Sequence, residues 1–202
     1  MSTQHGMHVT GRLHWHRPTA SATSATPVTA VTAREAAVAG LRIGTGFIFL
    51  WAFLDKTFGL HYSTQSKNAW IHGGSPTKGF LSHVSVGPFQ SAFHSMAGNG
   101  FVDWLFMLGL LGIGAAMVSG VGLRIAAVSG ILLVAMMWFA VYPPAQHTAT
   151  GAATASNNPF VDDHVLEALA LTAAAVFGTG SRLGLGAWWA KLPFVEKHRS
   201  LI

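Results

Sequence analysis

Apolar positions gather in four long runs, and the first sets the scale. Ala36 to Leu60 reads AAVAGLRIGTGFIFLWAFLDKTFGL, broken only by Arg42 near its start and Asp55-Lys56 near its end. About 20 such residues, each rising about 1.5 Å, match a hydrocarbon core of about 30 Å, so the run predicts a membrane helix. Phe101 to Ser119 and Leu123 to Tyr142 repeat the pattern, and Gly120-Val121-Gly122 between them predicts a tight turn joining a helical hairpin. Pro143-Pro144 ends the third run, because proline cannot continue the hydrogen-bond ladder. The fourth extends roughly from Asp162 to Gly180 and opens on Asp162 as a good N-cap, with acids facing the positive end of the helix dipole. The predicted fold class is all-α, an integral membrane four-helix bundle. Gly40 with Gly44 and Gly112 with Ala116 are small residues spaced for close helix contact.

Residues 61–100, between the first two helices, mix Gly73, Gly74, Pro76, Gly87 and Pro88 with Trp70, Phe80, Phe89 and Phe93. Such a stretch is too long and aromatic for a connector, and it predicts an extracytoplasmic cap with short amphipathic pieces near Lys67–Ile71, Thr77–Val84 and Pro88–Met96. Its histidines at 61, 72, 83 and 94 are evenly spaced, but the glycines and prolines forbid one continuous helix. Residues 1–33 carry Ser, Thr, Ala, Pro and the histidines His5, His8, His14 and His16 without an apolar period, which predicts a mobile tail. The membrane domain is then 34–181, and 182–202 is a basic C-terminal tail. Arg12, Arg17 and Arg34 precede the first helix, Arg124 follows the hairpin turn, and Arg182, Lys191, Lys197 and Arg199 follow the fourth. By the positive-inside rule both termini are cytoplasmic in a multi-pass protein of the cell membrane.

Composition sharpens this picture. Of 202 residues only 9% are charged and 50% are hydrophobic, which argues for lipid as solvent. The net charge of +5 comes from residues flanking apolar runs rather than from one basic face, so it reads as topology and not as nucleic-acid binding. With no cysteine, thiolate-held zinc, iron–sulfur clusters and a CxxC redox pair are excluded from this chain. No histidine sits in the middle of a span, so haem is not expected there. A carboxylate-bundle metal site would need a second Glu-x-x-His copy that the chain lacks, so no metal is expected.

Charges are costly in hydrocarbon, so the few present are candidates for chemistry. Arg42 and Lys56 fall on roughly one side of the first helix, at opposite ends. On the outer side Asp55, Lys56, Asp103, Asp162, Asp163, His164 and Glu167 are expected to converge. A histidine beside carboxylates can pass protons to a quinone, whose reduction consumes protons with electrons. Lys56, Asp162, Asp163, His164 and Glu167 are therefore the catalytic candidates. Mutual salt bridging with Lys56 would account for the same residues structurally.

The segments LRIGTGFIFLWAFLDKTFGL, AWIHGGSPTKGFLSHV, GPFQSAFHSMAG, DWLFMLGLLGIG and NPFVDDHVLEAL, in that order, closely resemble the DoxX-like membrane proteins. The likeness is to the DoxD-type group, named after the large subunit of a thiosulfate:quinone oxidoreductase, and covers about residues 36–190. It implies a four-helix subunit, part of a thiosulfate dehydrogenase (quinone), that delivers electrons from a reduced sulfur anion to membrane quinone beside a smaller extracytoplasmic redox subunit. Arg42, Lys56, Asp162, Asp163 and His164 stand at positions associated with the family's polar pattern. On this reading Lys67, Lys78 or Lys56 holds the anion under the cap. Quinone enters near Phe49, Trp51 and Phe53, with Arg42 on the cofactor side. Two other readings compete: a non-catalytic scaffold or accessory subunit of a redox or respiratory complex, and a small transporter using Arg42 and the outer acids.

Overall fold

The computed structural model describes residues 30–198. The expectations for the tail before Ala30, with its histidines and Arg12 and Arg17, and for Arg199 lie outside those residues. Within them the chain is helical: α1 (Ala33–Phe58), α2 (Lys78–Leu81), α3 (Gln90–Met96), α4 (Gly100–Ser119), α5 (Leu123–Val141), α6 (Asp163–Phe177), α7 (Gly186–Trp189) and α8 (Pro193–Lys197).

α1 begins at Ala33, earlier than its apolar run, because Thr32 and Glu35 form a capping box: Glu35 N donates to Thr32 Oγ1 at 3.2 Å and Thr32 N donates to the Glu35 carboxylate at 2.9 Å. Gly59, in the left-handed region at φ 65°, ends it. Asn99 caps α4 by accepting from Phe101 N and Val102 N, and Asp162 caps α6 by accepting from Val165 N at 3.3 Å. The hairpin turn forms where Gly120-Val121-Gly122 places it, with both glycines at positive φ.

α1, α4 and α5 are long and apolar enough to cross a membrane. α6 has 15 residues, about 22 Å at 1.5 Å each, and is the short one of the four long helices. α1 packs along α4 and α6, and α5 along α6 and α4. Phe49, Met107, Ile113, Met117, Val134 and Leu171 meet in the shared core. The polarity is the reverse of a water-soluble fold: Phe47, Ile48, Leu105, Leu108, Leu132 and Met136 are exposed while Arg42, Asp55, Asp103 and His164 are buried.

The glycines that bring α1 against α4 are not the expected pairs. A Cβ on Gly46 would lie 2.7 Å from Met117 Cβ, and one on Gly114 would lie 2.7 Å from Leu50 N. Gly40, Gly44 and Gly112 have nothing within 4 Å of such an atom. A four-residue spacing of small residues does not by itself fix the contact face; the helix phase places Gly46 and Gly114 in the interior instead.

Contacts sort the loops into two groups. At one end Leu185 N donates to Ser119 O at 2.8 Å and Gly180 lies against Gly120. At the other, the segment after α1 is tied to α1 and α4, and Trp138 Nε1 of α5 donates to Phe160 O at 3.1 Å.

Candidate functional site

Asp55 closes α1 and Asp103 sits in the first turn of α4, and both carboxylates turn toward the backbone of the segment between those helices. Asp55 accepts from Ser63 N at 3.0 Å, Ser63 Oγ at 2.7 Å and Tyr62 N at 3.2 Å. A single oxygen of Asp103 accepts from Ser75 Oγ at 2.9 Å, Thr77 N at 3.1 Å and Thr77 Oγ1 at 2.5 Å. Bonds to a charged acceptor are roughly twice as strong as neutral ones, so these pegs fix an otherwise turn-rich segment. Ser75 Oγ in turn accepts from Lys78 N at 3.1 Å, which sets the start of α2.

Between the pegs lies a cleft of about 910 Å³. Its polar side carries Lys56, Ser63, Asn68, Lys78, Ser82 and His83. Its apolar wall is Phe101, Leu105 and Phe106 of α4 with Leu133, Met136 and Met137 of α5. No Asp or Glu lines it, because the neighbouring acids are spent on the segment's backbone and hydroxyls. Lys56 Nζ reaches Ser63 Oγ at 3.5 Å, and the stem of Lys78 lies over Gly98. Neither lysine has a carboxylate within 4.0 Å among the described residues.

The other sequence candidates are placed elsewhere. Lys67 is exposed and does not line the cleft. Phe49 belongs to the core, Phe53 packs half-buried against it, and Trp51 stacks on Phe47 with its ring edge-on to Tyr62. Arg42 is fully buried at the opposite end of α1. Its guanidinium donates to Met117 O, to Val118 O at 3.0 Å, to Leu183 O at 2.7 Å and to Thr179 Oγ1 at 3.3 Å. Those acceptors include the last turn of α4, where a cation suits the negative end of the helix dipole.

Asp162, Asp163, His164 and Glu167 share the start of α6 and are not among the cleft's lining residues. His164 is buried, with Nδ1 2.8 Å from Asp162 Oδ2 and 3.4 Å from Asp163 Oδ1. Ligand atoms of Asp162, Asp163 and His164 lie within 4.8 Å of one another, a donor set that suits a cation by type. Asp162 already serves the helix N-terminus. The structure thus brings Lys56 and Lys78 together on one cleft and keeps the Asp162–Glu167 group apart from it.

Sequence reasoning did not single out His83, Phe101, Leu105 or Met136 as site residues. The four evenly spaced histidines each serve a local bond: His61 Nε2 meets Ser66 Oγ at 2.9 Å, and His72, His83 and His94 donate to the carbonyls of Ser66, Gly79 and Val84. Only His83 of these also faces the cleft. Its signal was its place five residues after Lys78, in the stretch that follows the Ser75-Pro76-Thr77 turn. No protein-family model matches this chain, no curated protein matches it, and no solved structure matches it.

Proposed function

We propose that the chain is a four-helix membrane protein with an extracytoplasmic cap, both termini cytoplasmic, and that it is the membrane subunit of a quinone-linked oxidoreductase. It passes electrons from a reduced sulfur anion such as thiosulfate to membrane quinone, alongside a smaller extracytoplasmic redox subunit. The observation that carries this reading is the cleft, with ammonium and hydroxyl donors on one side and a wall of aromatic, leucine and methionine side chains on the other. Quinone carbonyls accept hydrogen bonds from Lys56 and Lys78, while the ring and its isoprenoid chain suit Phe101, Leu105 and Met136. Two thiosulfate ions joined through a new S–S bond release two electrons, and the quinone takes these with two protons to become quinol. The anion is favoured near the lysines, whose positive ends face no acid across the cleft. The resemblance to DoxD-type proteins supports the same activity.

Purified protein in detergent, given thiosulfate and a soluble short-chain quinone with and without the products of neighbouring genes, tests it. Thiosulfate-dependent loss of quinone absorbance that falls in Lys56→Ala and Lys78→Ala is the expected result. No substrate-dependent reduction in any combination removes the catalytic reading. The accessory-subunit reading is favoured by Gly40 and Gly44, whose open face on α1 suits a close-packed foreign helix. Co-purification of one defined partner whose assembly fails on deletion of this chain would establish it instead.

A further inference from the structure

The wall that suits a quinone chain suits any membrane acyl chain. The cleft's apolar wall is also the outer surface of the helices: Phe101 is 77% exposed, Leu105 60% and Met136 51%. These side chains belong to α4 and α5, two of the helices apolar enough to cross a membrane, so in a bilayer the cleft stands open to acyl chains. Its other side holds Lys56 and Lys78 with no carboxylate in ion-pair range and none in the lining. Lys56 has Asp55 beside it and shares Ser63 Oγ with it, so Lys78 is the less compensated of the two cations, and an ammonium group at a membrane surface attracts anionic head groups.

We propose that this cleft binds one anionic membrane lipid, its phosphate between Lys56 and Lys78 and one acyl chain lying along Phe101, Leu105 and Met136. The chemistry on the two sides selects both parts of the molecule. A zwitterionic lipid carries its own ammonium toward the lysines and gains little there. A free phosphate fits the lysines and leaves the apolar wall uncovered. About 910 Å³ is ample for a head group with part of a chain, and the wall's open edge lets the rest continue into the bilayer. Lys78 is well placed for this role because two features locate it: its stem rests on Gly98, and its backbone N–H is held by Ser75, itself bound to Asp103. This inference stands on the cleft alone: a lipid seated here takes the positions given above to quinone and the anion, so lipid and quinone compete for Lys56, Lys78 and the apolar wall.

Native mass spectrometry of the intact protein, released from neutral-detergent micelles doped equally with phosphatidylglycerol and phosphatidylcholine, reads the proposal directly. One phosphatidylglycerol retained per chain in preference to phosphatidylcholine is the expected result. Removing one lysine in Lys78→Gln should weaken retention about fivefold, and Lys56→Gln with Lys78→Gln about twentyfold, while Lys191→Gln leaves it unchanged. Leu105→Trp, which keeps both lysines but fills the wall, should also weaken it. Lys78 is exposed, so its variant remains informative even where the double variant does not fold. Equal retention of the two lipids overturns the proposal, as does a loss in Lys191→Gln matching that in Lys78→Gln. Displacement of the lipid by glycerol phosphate alone assigns the site to a soluble anion and overturns it too. Selective lipid retention without any quinone reduction would leave this inference standing and remove the oxidoreductase reading.

Discussion

Arg42 shows how a buried cation can be stable in an apolar chain without an acid. Among the described residues no carboxylate forms an ion pair with it, and four neutral oxygens take its donors instead. Arg42→Met would orphan carbonyls at the end of α4 and beyond α6, each worth about 1–3 kcal/mol when buried. We expect a loss of about 3 kcal/mol or more, read as a lower melting temperature in detergent, with Arg42→Lys in between because an ammonium lacks the planar fork. Were Arg42 a quinone ligand, Arg42→Met would lose activity with its melting temperature intact. Asp103 makes a second prediction at this scale. Asp103→Ala removes the acceptor for Ser75 and Thr77, so amide hydrogen exchange over residues 75–82 should accelerate at least tenfold while the middle of α4 stays protected. Unchanged exchange there would mean that the segment is held by other contacts.

Among the elements, the contact between α1 and α4 depends on two glycines whose neighbours leave no room for a methyl group. Gly46→Ala forces its Cβ to within 2.7 Å of Met117 Cβ, and overpacking of this kind costs about 1–3 kcal/mol. Gly44→Ala, two residues away, meets nothing within 4 Å and should be neutral or stabilising by up to about 1 kcal/mol through helix propensity. Melting temperatures of the two variants measured side by side decide this, and equal losses would contradict the packing. The same pair marks what was legible in the sequence. Helix ends were readable because Gly120-Val121-Gly122, Pro143-Pro144 and the Asp162 cap act on their own backbone. Which glycine faces inward was not, because a shift of two residues turns a side chain by about 200° around the helix. The cleft was hidden for a related reason. Lys56 and Lys78 share it only because Asp55 and Asp103 fasten the intervening segment, and nothing local in the sequence announces bonds between Thr77 and Asp103. Lys67 carries the same charge in the same segment, yet it falls outside the lining.

For the whole molecule the central question is how the short α6 crosses, or fails to cross, the bilayer. Its far end meets the turn between α4 and α5: Gly180 lies against Gly120, Leu185 N bonds Ser119 O, and Arg42 joins Val118 to Leu183. Its start follows a loop fastened to the other end of α5 through Trp138 and Phe160. The helix therefore runs the same course as α4, from the end that holds the cleft to the end that holds Arg42. At about 22 Å it falls short of a hydrocarbon core of about 30 Å, a mismatch that local thinning or flanking residues accommodate at modest cost. The absence of cysteine makes this course measurable, because any introduced thiol is unique. With four crossings and the proposed orientation, both termini inside, Gln65→Cys and Thr150→Cys should both react with an impermeant maleimide from the outer side of sealed cells. Val121→Cys and Lys191→Cys should react only after the membrane is opened. If Lys191→Cys labels from outside together with Thr150→Cys, α6 does not traverse the bilayer and the chain crosses three times. In that event the basic residues after α6 would lie on the wrong side for the positive-inside rule, so the same experiment weighs charge bias against helix length as the determinant of topology.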